Sequence, residues 1–189
     1  MIHTGIIFAT EAHGKQLRKG TQLPYIIHPL EVAQILSYIH APQEVIVAGI
    51  LHDTLEDTLV TYQELVDHFG KNIASLVFEC SNKCDGPWRT RKQYTITKLE
   101  TTQNQEVALI LCADKISNLR SITYDVSTTG PDVWKRFSAP KEDVLWYYEQ
   151  LGKVIARRHD LPPDFIQEYT APLLDGRKCL GSFPLALSC

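Results

Sequence analysis

The sequence predicts an all-α fold, a single helical bundle. Apolar residues recur at helical spacing along most of its 189 residues, no segment alternates convincingly as a strand, and recognisable start and stop signals separate the periodic stretches. Ile6, Ile7 and Ala9 begin an amphipathic segment that fades into the polar run 14–22, which Pro24 ends. Pro29 sits in a first turn, where its missing N–H costs nothing, and Val32, Ala33, Ile35, Leu36 and Ile39 follow at the spacing of a half-buried helix. Pro42 opens the next helix, from Glu44 to about Leu55. Its residues Val45 to Leu51 are apolar nearly all round, which suits the middle of a bundle.

Thr61 and Glu64 have capping-box spacing, Gly70 closes that helix, and Ile73 to Cys80 continues as another. The stretch from Asn82 to Arg91 contains Asp85-Gly86-Pro87 and reads as a loop. A polar helix from Arg91 to Thr101, an apolar one from Val107 to Ile122 and a last long one from Glu142 to about Arg158 complete the bundle. Leu161-Pro162-Pro163 breaks the pattern. Residues 1–160 are therefore expected to form the domain, and residues 161–189 a C-terminal tail of unassigned role.

The composition, 44% hydrophobic and 22% charged, allows one ordinary core. With a net charge of −3 and no basic stripe, the chain does not look like a nucleic-acid binder. No apolar run approaches the ~18 residues of a membrane span, and the start of the chain lacks the basic leader of a signal peptide. Five irregularly spaced cysteines are most simply reduced thiols, so the expected location is the cytoplasm. Cys80 and Cys84 have the spacing of half a zinc site, but no partner pair follows.

The chemistry concentrates around one helix end. At about 100° per residue, positions 52, 53, 56 and 57 fall at about 0°, 100°, 40° and 140°. One arc thus carries His52, Asp53, Glu56 and Asp57, with no basic residue between them. Three carboxylates crowded at the end of a core helix repel one another and are poorly placed in the helix dipole. A divalent cation would resolve this; acids simply facing solvent are the alternative. His28 stands where a loop enters a helix, between Ile26-Ile27 and Pro29. Asp114 interrupts the apolar run 108–113, with Lys115 beside it as one possible partner and Asn118 one turn further on the same face.

A histidine, a His-Asp pair and a distant aspartate in a helical chain resemble the HD-domain metal-dependent phosphohydrolases. The strings Phe8-Ala9-x-x-Ala12-His13, Gln16-x-Arg18-Lys19, Pro24-Tyr25-Ile26-Ile27-His28-Pro29, Leu51-His52-Asp53-Thr54-x-Glu56-Asp57-Thr58 and Ala113-Asp114-Lys115-x-x-Asn118-Leu119-Arg120 are similar to the hydrolase domain of RelA/SpoT proteins. The likeness covers about residues 3–158. It implies a free-standing small alarmone hydrolase of the metazoan SpoT-homologue type, in a bacterial branch, since the chain has no room for synthetase and regulatory domains.

The resemblance implies that His28, His52, Asp53 and Asp114 hold one metal ion, typically Mn²⁺. A set of two imidazoles and two carboxylates suits Mn, Fe, Co or Zn better than Ca or Mg. It implies Glu56 and Asp57 as the acid/base pair that orients the attacking water. Arg18, Lys19 and Asn118 match nucleotide-lining positions, and Tyr147 or its neighbour Tyr148 matches the ring that closes the pocket. Arg89, Arg91 and Lys92 reach the outer phosphates or form a solvated helix start. The implied reaction is hydrolysis of the alarmone ppGpp or pppGpp to GDP or GTP and pyrophosphate. Other readings are a different 3′-phosphorylated nucleotide, an adenine alarmone, the 2′-phosphate of NADPH, or a nucleotide sensor without catalysis.

Overall fold

The computed structural model describes residues 1–81 and 84–169. Among the described residues the named α-helices run in the order α1 Ile2–His13, α2 Ile27–Tyr38, α3 Gln43–Leu51, α4 Thr54–Asp57, α5 Tyr62–Cys80, α6 Trp88–Thr101, α7 Gln105–Thr129 and α8 Lys141–Arg157, with a 3₁₀ helix at Gly130–Arg136 before α8. Among the described residues there is no strand. An isolated bridge between Leu17 and Pro24 pins the loop after α1. The all-α expectation therefore holds, and the described residues divide into two compact units.

The first unit comprises residues 1–81 and 102–117 of those described. Helix α3 is its centre, meeting α1, α2 and α5. Every residue from Val45 to Leu51 is buried, as the all-round apolar pattern requires. Each large aliphatic side chain buried this way contributes about 1.5–3 kcal/mol of transfer free energy. The approach of α2 to α3 depends on Gly49, where a Cβ would lie 2.5 Å from Leu36 Cδ1 and 3.3 Å from Val32 Cγ1. Gly70 adopts φ 82 and ψ 167, breaking α5 where the sequence expects one helix to stop and another to follow. The expected capping box opens α5: the Thr61 hydroxyl accepts from the Glu64 backbone N–H, and the Glu64 side chain accepts from the Thr61 backbone N–H.

Helix α3 ends at Leu51, four residues before its expected end. The cause is side-chain chemistry that apolar periodicity does not report. Thr54 Oγ1 donates to Leu51 O at 2.7 Å, and Asp53 sits at φ −94, ψ −6, near the bridge region. His52 and Asp53 thus occupy a turn between two helices.

The second unit comprises residues 84–101 and 118–169 of those described. In it α6 packs on α8, and Arg158 Nη1 donates to Leu99 O at 2.6 Å. Helix α6 begins at Trp88, three residues earlier than expected. Pro87 presets the entry, and the Arg91 N–H bonds back to its carbonyl at 3.2 Å. The 3₁₀ turn, with Pro131 in its first positions, is not signalled by periodicity. Residues 163–169 form a further helical segment, burying Phe165 and Tyr169, and Tyr169 Oη donates to Tyr148 O at 2.7 Å. The rest of the expected tail, with Cys179 and Cys189, lies outside the described residues, as do Asn82 and Lys83 of the expected loop.

Candidate active site

His28, one residue into α2, and His52, one residue past α3, come together because Gly49 lets those helices close. Their ring centroids are 5.2 Å apart at 73°. Asp53 follows in the turn, and Asp114 enters from α7. His28 Nε2 lies 3.3 Å from Asp114 Oδ1 and 3.6 Å from Asp53 Oδ2. His52 Nε2 lies 2.9 Å from Asp53 Oδ2 and 4.0 Å from Asp114 Oδ1. Four residues taken from positions 28, 52, 53 and 114 of the sequence therefore surround one point.

The donor set fits a metal ion. One donor atom each from His28, His52 and Asp114 lie within 4.8 Å of one another, and all three residues are buried. Nitrogen and oxygen ligands about 2.1 Å from one ion stand roughly 3–4 Å apart, as these atoms do. His52 adds a sharper sign. Its Nδ1 bonds Gly49 O at 2.8 Å, which fixes the ring. Its Nε2, buried and close to Asp53, lacks the alignment of a hydrogen bond to any group. A buried polar atom left in this way costs about 1–3 kcal/mol unless something else satisfies it.

The electrostatics record the crowding of opposite charges in this cluster. Burial alone would lower His52, but Asp53 and then Asp114 outweigh it and push its pKa up to about 9. Burial lowers His28 below its ordinary value against the pull of Asp114. For Asp53 burial works upward, yet His52 and His28 hold the carboxyl well below the usual range. Asp114 is likewise held low, against its burial, by Lys115 and His28. Lys115 bonds Asp114 Oδ2 while Oδ1 faces the histidines. The ion pair read as an alternative for Asp114 is thus present and leaves one oxygen for the site.

Glu56 and Asp57 lie on α4, toward the exposed side. Their backbone N–H groups bond Asp53 O at 3.2 and 2.8 Å, which ties α4 to the turn. Loss of hydration and the charge of Asp53 raise the Asp57 pKa, with Tyr25 and Gln16 pulling the other way. Arg18 places its guanidinium carbon 5.9 Å from the centroid of the Tyr25 ring, and Lys19 is exposed. Asn118 and Tyr147 belong to the second unit, where Tyr147 is 2% exposed and packs edge-on against Trp88 and Tyr148. Arg89 there pairs with Asp143 and lies 3.9 Å over the Trp146 ring.

Several supporting residues carry no periodicity signal. Tyr25 Oη donates to Asp53 Oδ2 at 2.6 Å, and burial with the Asp53 charge keeps the phenol protonated far above its ordinary range. His13 stacks on Tyr25 with centroids 4.7 Å apart and bonds Gln16 Oε1 through Nδ1 at 2.8 Å. Glu31 and Ser117 stand behind His28. Tyr25, Gln16 and His13 lie inside the strings that carry the resemblance; Glu31 does not, and Ser117 is an unspecified position in one.

Known proteins resemble this chain at the level of the whole domain. A family model described as the HD domain matches residues 6–145. A guanosine-3′,5′-bis(diphosphate) 3′-pyrophosphohydrolase of Aquifex aeolicus is 38% identical over 117 residues, 61% of this chain and 17% of that protein. The Xenopus tropicalis enzyme of the same name, MESH1, is 34% identical over 151 residues, 78% of this chain and 79% of that protein. The solved structure of a metazoan orthologue of SpoT superposes with a TM-score of 0.75 over 92% of this chain and 93% of that one; at 23% identity it speaks to the fold. The chain spans about a sixth of the long Aquifex relative but most of the Xenopus one. With the family model covering most of its length and a relative above 30% identity covered to 79% of its length, the chain belongs to the HD-domain family.

Proposed function

We propose that the chain hydrolyses ppGpp or pppGpp to GDP or GTP and pyrophosphate, with His28, His52, Asp53 and Asp114 holding one divalent ion, Mn²⁺ by preference. The observation that carries this reading is the convergence of two buried imidazole nitrogens with two carboxylates around one point. The names of the similar proteins supply the substrate. When bound, the ion would lower the pKa of a water molecule and neutralise charge developing on the phosphoryl group.

The chain's own groups do the rest. Water adds to the phosphorus joined to the ribose 3′-oxygen, that P–O bond breaks, and the 3′-oxygen takes up a proton. Asp57, whose raised pKa suits it to carry a proton, and Glu56 orient the water and accept its proton. Tyr25 holds the Asp53 carboxylate in place through its 2.6 Å hydrogen bond. Arg18 and Lys19 bind the nucleotide; the guanidinium of Arg18 suits stacking on a purine. Residues 1–160 act as the hydrolase domain, and 161–189 as an appended tail. No helix among the described residues is long and apolar enough to cross a membrane, and we place the protein in the cytoplasm, acting on a small nucleotide rather than on nucleic acid.

The test is a substrate panel with Mn²⁺, separated by ion exchange: ppGpp, an adenine alarmone, a 3′-nucleotide monophosphate and NADPH. Cleavage of ppGpp ahead of the others, lost in Asp53→Ala and Glu56→Ala, is expected. Turnover of NADPH or the monophosphate with no alarmone cleaved would redirect the substrate. Activity unchanged in both variants would remove the catalytic assignment.

A further inference from the structure

Behind His28 the hydrogen bonds leave only one consistent arrangement. Ser117, fully buried on α7, has a single hydroxyl proton, and it is directed at Glu31 Oε2 at 2.8 Å. A helical serine more commonly turns that proton back on the carbonyl one turn earlier. An ionised carboxylate only accepts, so the proton of this bond belongs to Ser117. His28 Nδ1 lies 2.8 Å from the same Oγ. With its proton spent on Glu31, Ser117 can only accept there, and Nδ1 must be the N–H. The lone pair of the neutral ring is then at Nε2, the atom that faces Asp114 and Asp53.

We infer that Glu31 and Ser117 form a relay that fixes the tautomer and orientation of His28, presenting Nε2 to a metal ion. Both are positioning residues, and the inference rests on the proposed role of His28 as a ligand. The relay joins α2 to α7, elements 86 residues apart in sequence for the Glu31–Ser117 bond, so it also sets where the Asp114 helix sits against His28. Direct carboxylate contacts to a ligating imidazole serve this purpose in many metal sites. Here a buried hydroxyl stands between, transmitting the preference without placing a second full charge on the ring. Without Glu31, the serine proton is free to turn toward Nδ1, which would move the ring proton to Nε2 and block the ligand atom.

The experiment is Mn²⁺ titration of the chelator-treated full chain by calorimetry, with ¹⁵N NMR of the histidine rings and a melting curve for each variant. Ser117→Ala and Glu31→Leu are expected to weaken Mn²⁺ binding by about 10- to 100-fold. Glu31→Gln, which keeps an acceptor but not the charge, is expected to lose less. The metal-free wild-type chain is expected to show His28 as the Nδ1–H tautomer. Nε2–H in the wild type, or unchanged Mn²⁺ affinity in Ser117→Ala with a lowered Tm, overturns the relay and leaves those residues as braces between helices. His28→Ala separates the two levels: if it binds Mn²⁺ as tightly as wild type, the ligand role itself fails. If it loses binding while Ser117→Ala and Glu31→Leu do not, only the relay does. Should a variant fail to fold, the wild-type ring spectrum still decides.

Discussion

The two units carry charge in opposite ways. In the first, His28, His52 and Asp114 are nearly inaccessible, and bonds from the histidines to Gly49 and Ser117 and from Tyr25 to Asp53 hold the cluster. In the second, ionic groups lie nearer the surface: Arg89 with Asp143, Lys153 with Glu149, and Lys92 set 5.0 Å from the Tyr147 ring centroid. Buried charge must be matched group by group, so removing one partner exposes the full cost of the others. Exposed pairs are hydrated whether or not they meet, so each contributes little. The contrast ranks what substitutions should do.

The largest effect is expected from Asp53→Ala, which removes the carboxylate nearest His52. Hydrolysis should fall on the order of a thousandfold or more, since several kcal/mol of charge stabilisation depend on the cluster; steady-state assay against wild type checks this. Tyr25→Phe deletes only the hydroxyl that donates to Asp53. A bond to a charged group contributes about 1.5–3 kcal/mol, so a drop of about 10- to 100-fold in kcat is expected with little change in far-UV circular dichroism. Equal activity in both proteins would mean that Asp53 needs no help in holding its position.

Away from the site, Thr61→Ala removes the cap of α5 and should lower stability by about 1 kcal/mol in urea unfolding. That cap carries a pH signature. The bonds from Thr61 hold the Glu64 carboxyl below its ordinary value of 4.5. A folded pKa that is depressed gives stability that is complete above the unfolded value and fades as pH falls through the folded one. The gap between wild type and Thr61→Ala should therefore narrow in acid and be constant near neutrality. The smallest effect belongs to the second unit. Arg89→Ala loses an exposed ion pair and a cation over Trp146, and should cost less than about 1 kcal/mol, an amount that shrinks in salt. A loss as large as that of Tyr25→Phe would break the contrast between the units.

Much of this was legible in the sequence, for identifiable reasons. Helix α3 is apolar on every side, and only a central helix can bury such a surface. His28 and Asp114 are polar interruptions of apolar runs, and Thr61 with Glu64 spells its own cap. The end of α3 was not legible, because the hydroxyl of Thr54 and the ring of His52 set it while the apolar pattern runs on to Leu55. Nor were Glu31 and Ser117, which carry no spacing or composition signal of their own. Their meaning comes from packing α2 against α7, and no local pattern encodes that contact.

The most direct test of the account is product analysis by ³¹P NMR of ppGpp incubated with the Mn²⁺-loaded full chain, beside the Asp53→Ala variant. The account predicts GDP and pyrophosphate in equal amounts from the wild type and neither from the variant. Inorganic phosphate as the first product, or the same products at the same rate from Asp53→Ala, would contradict it.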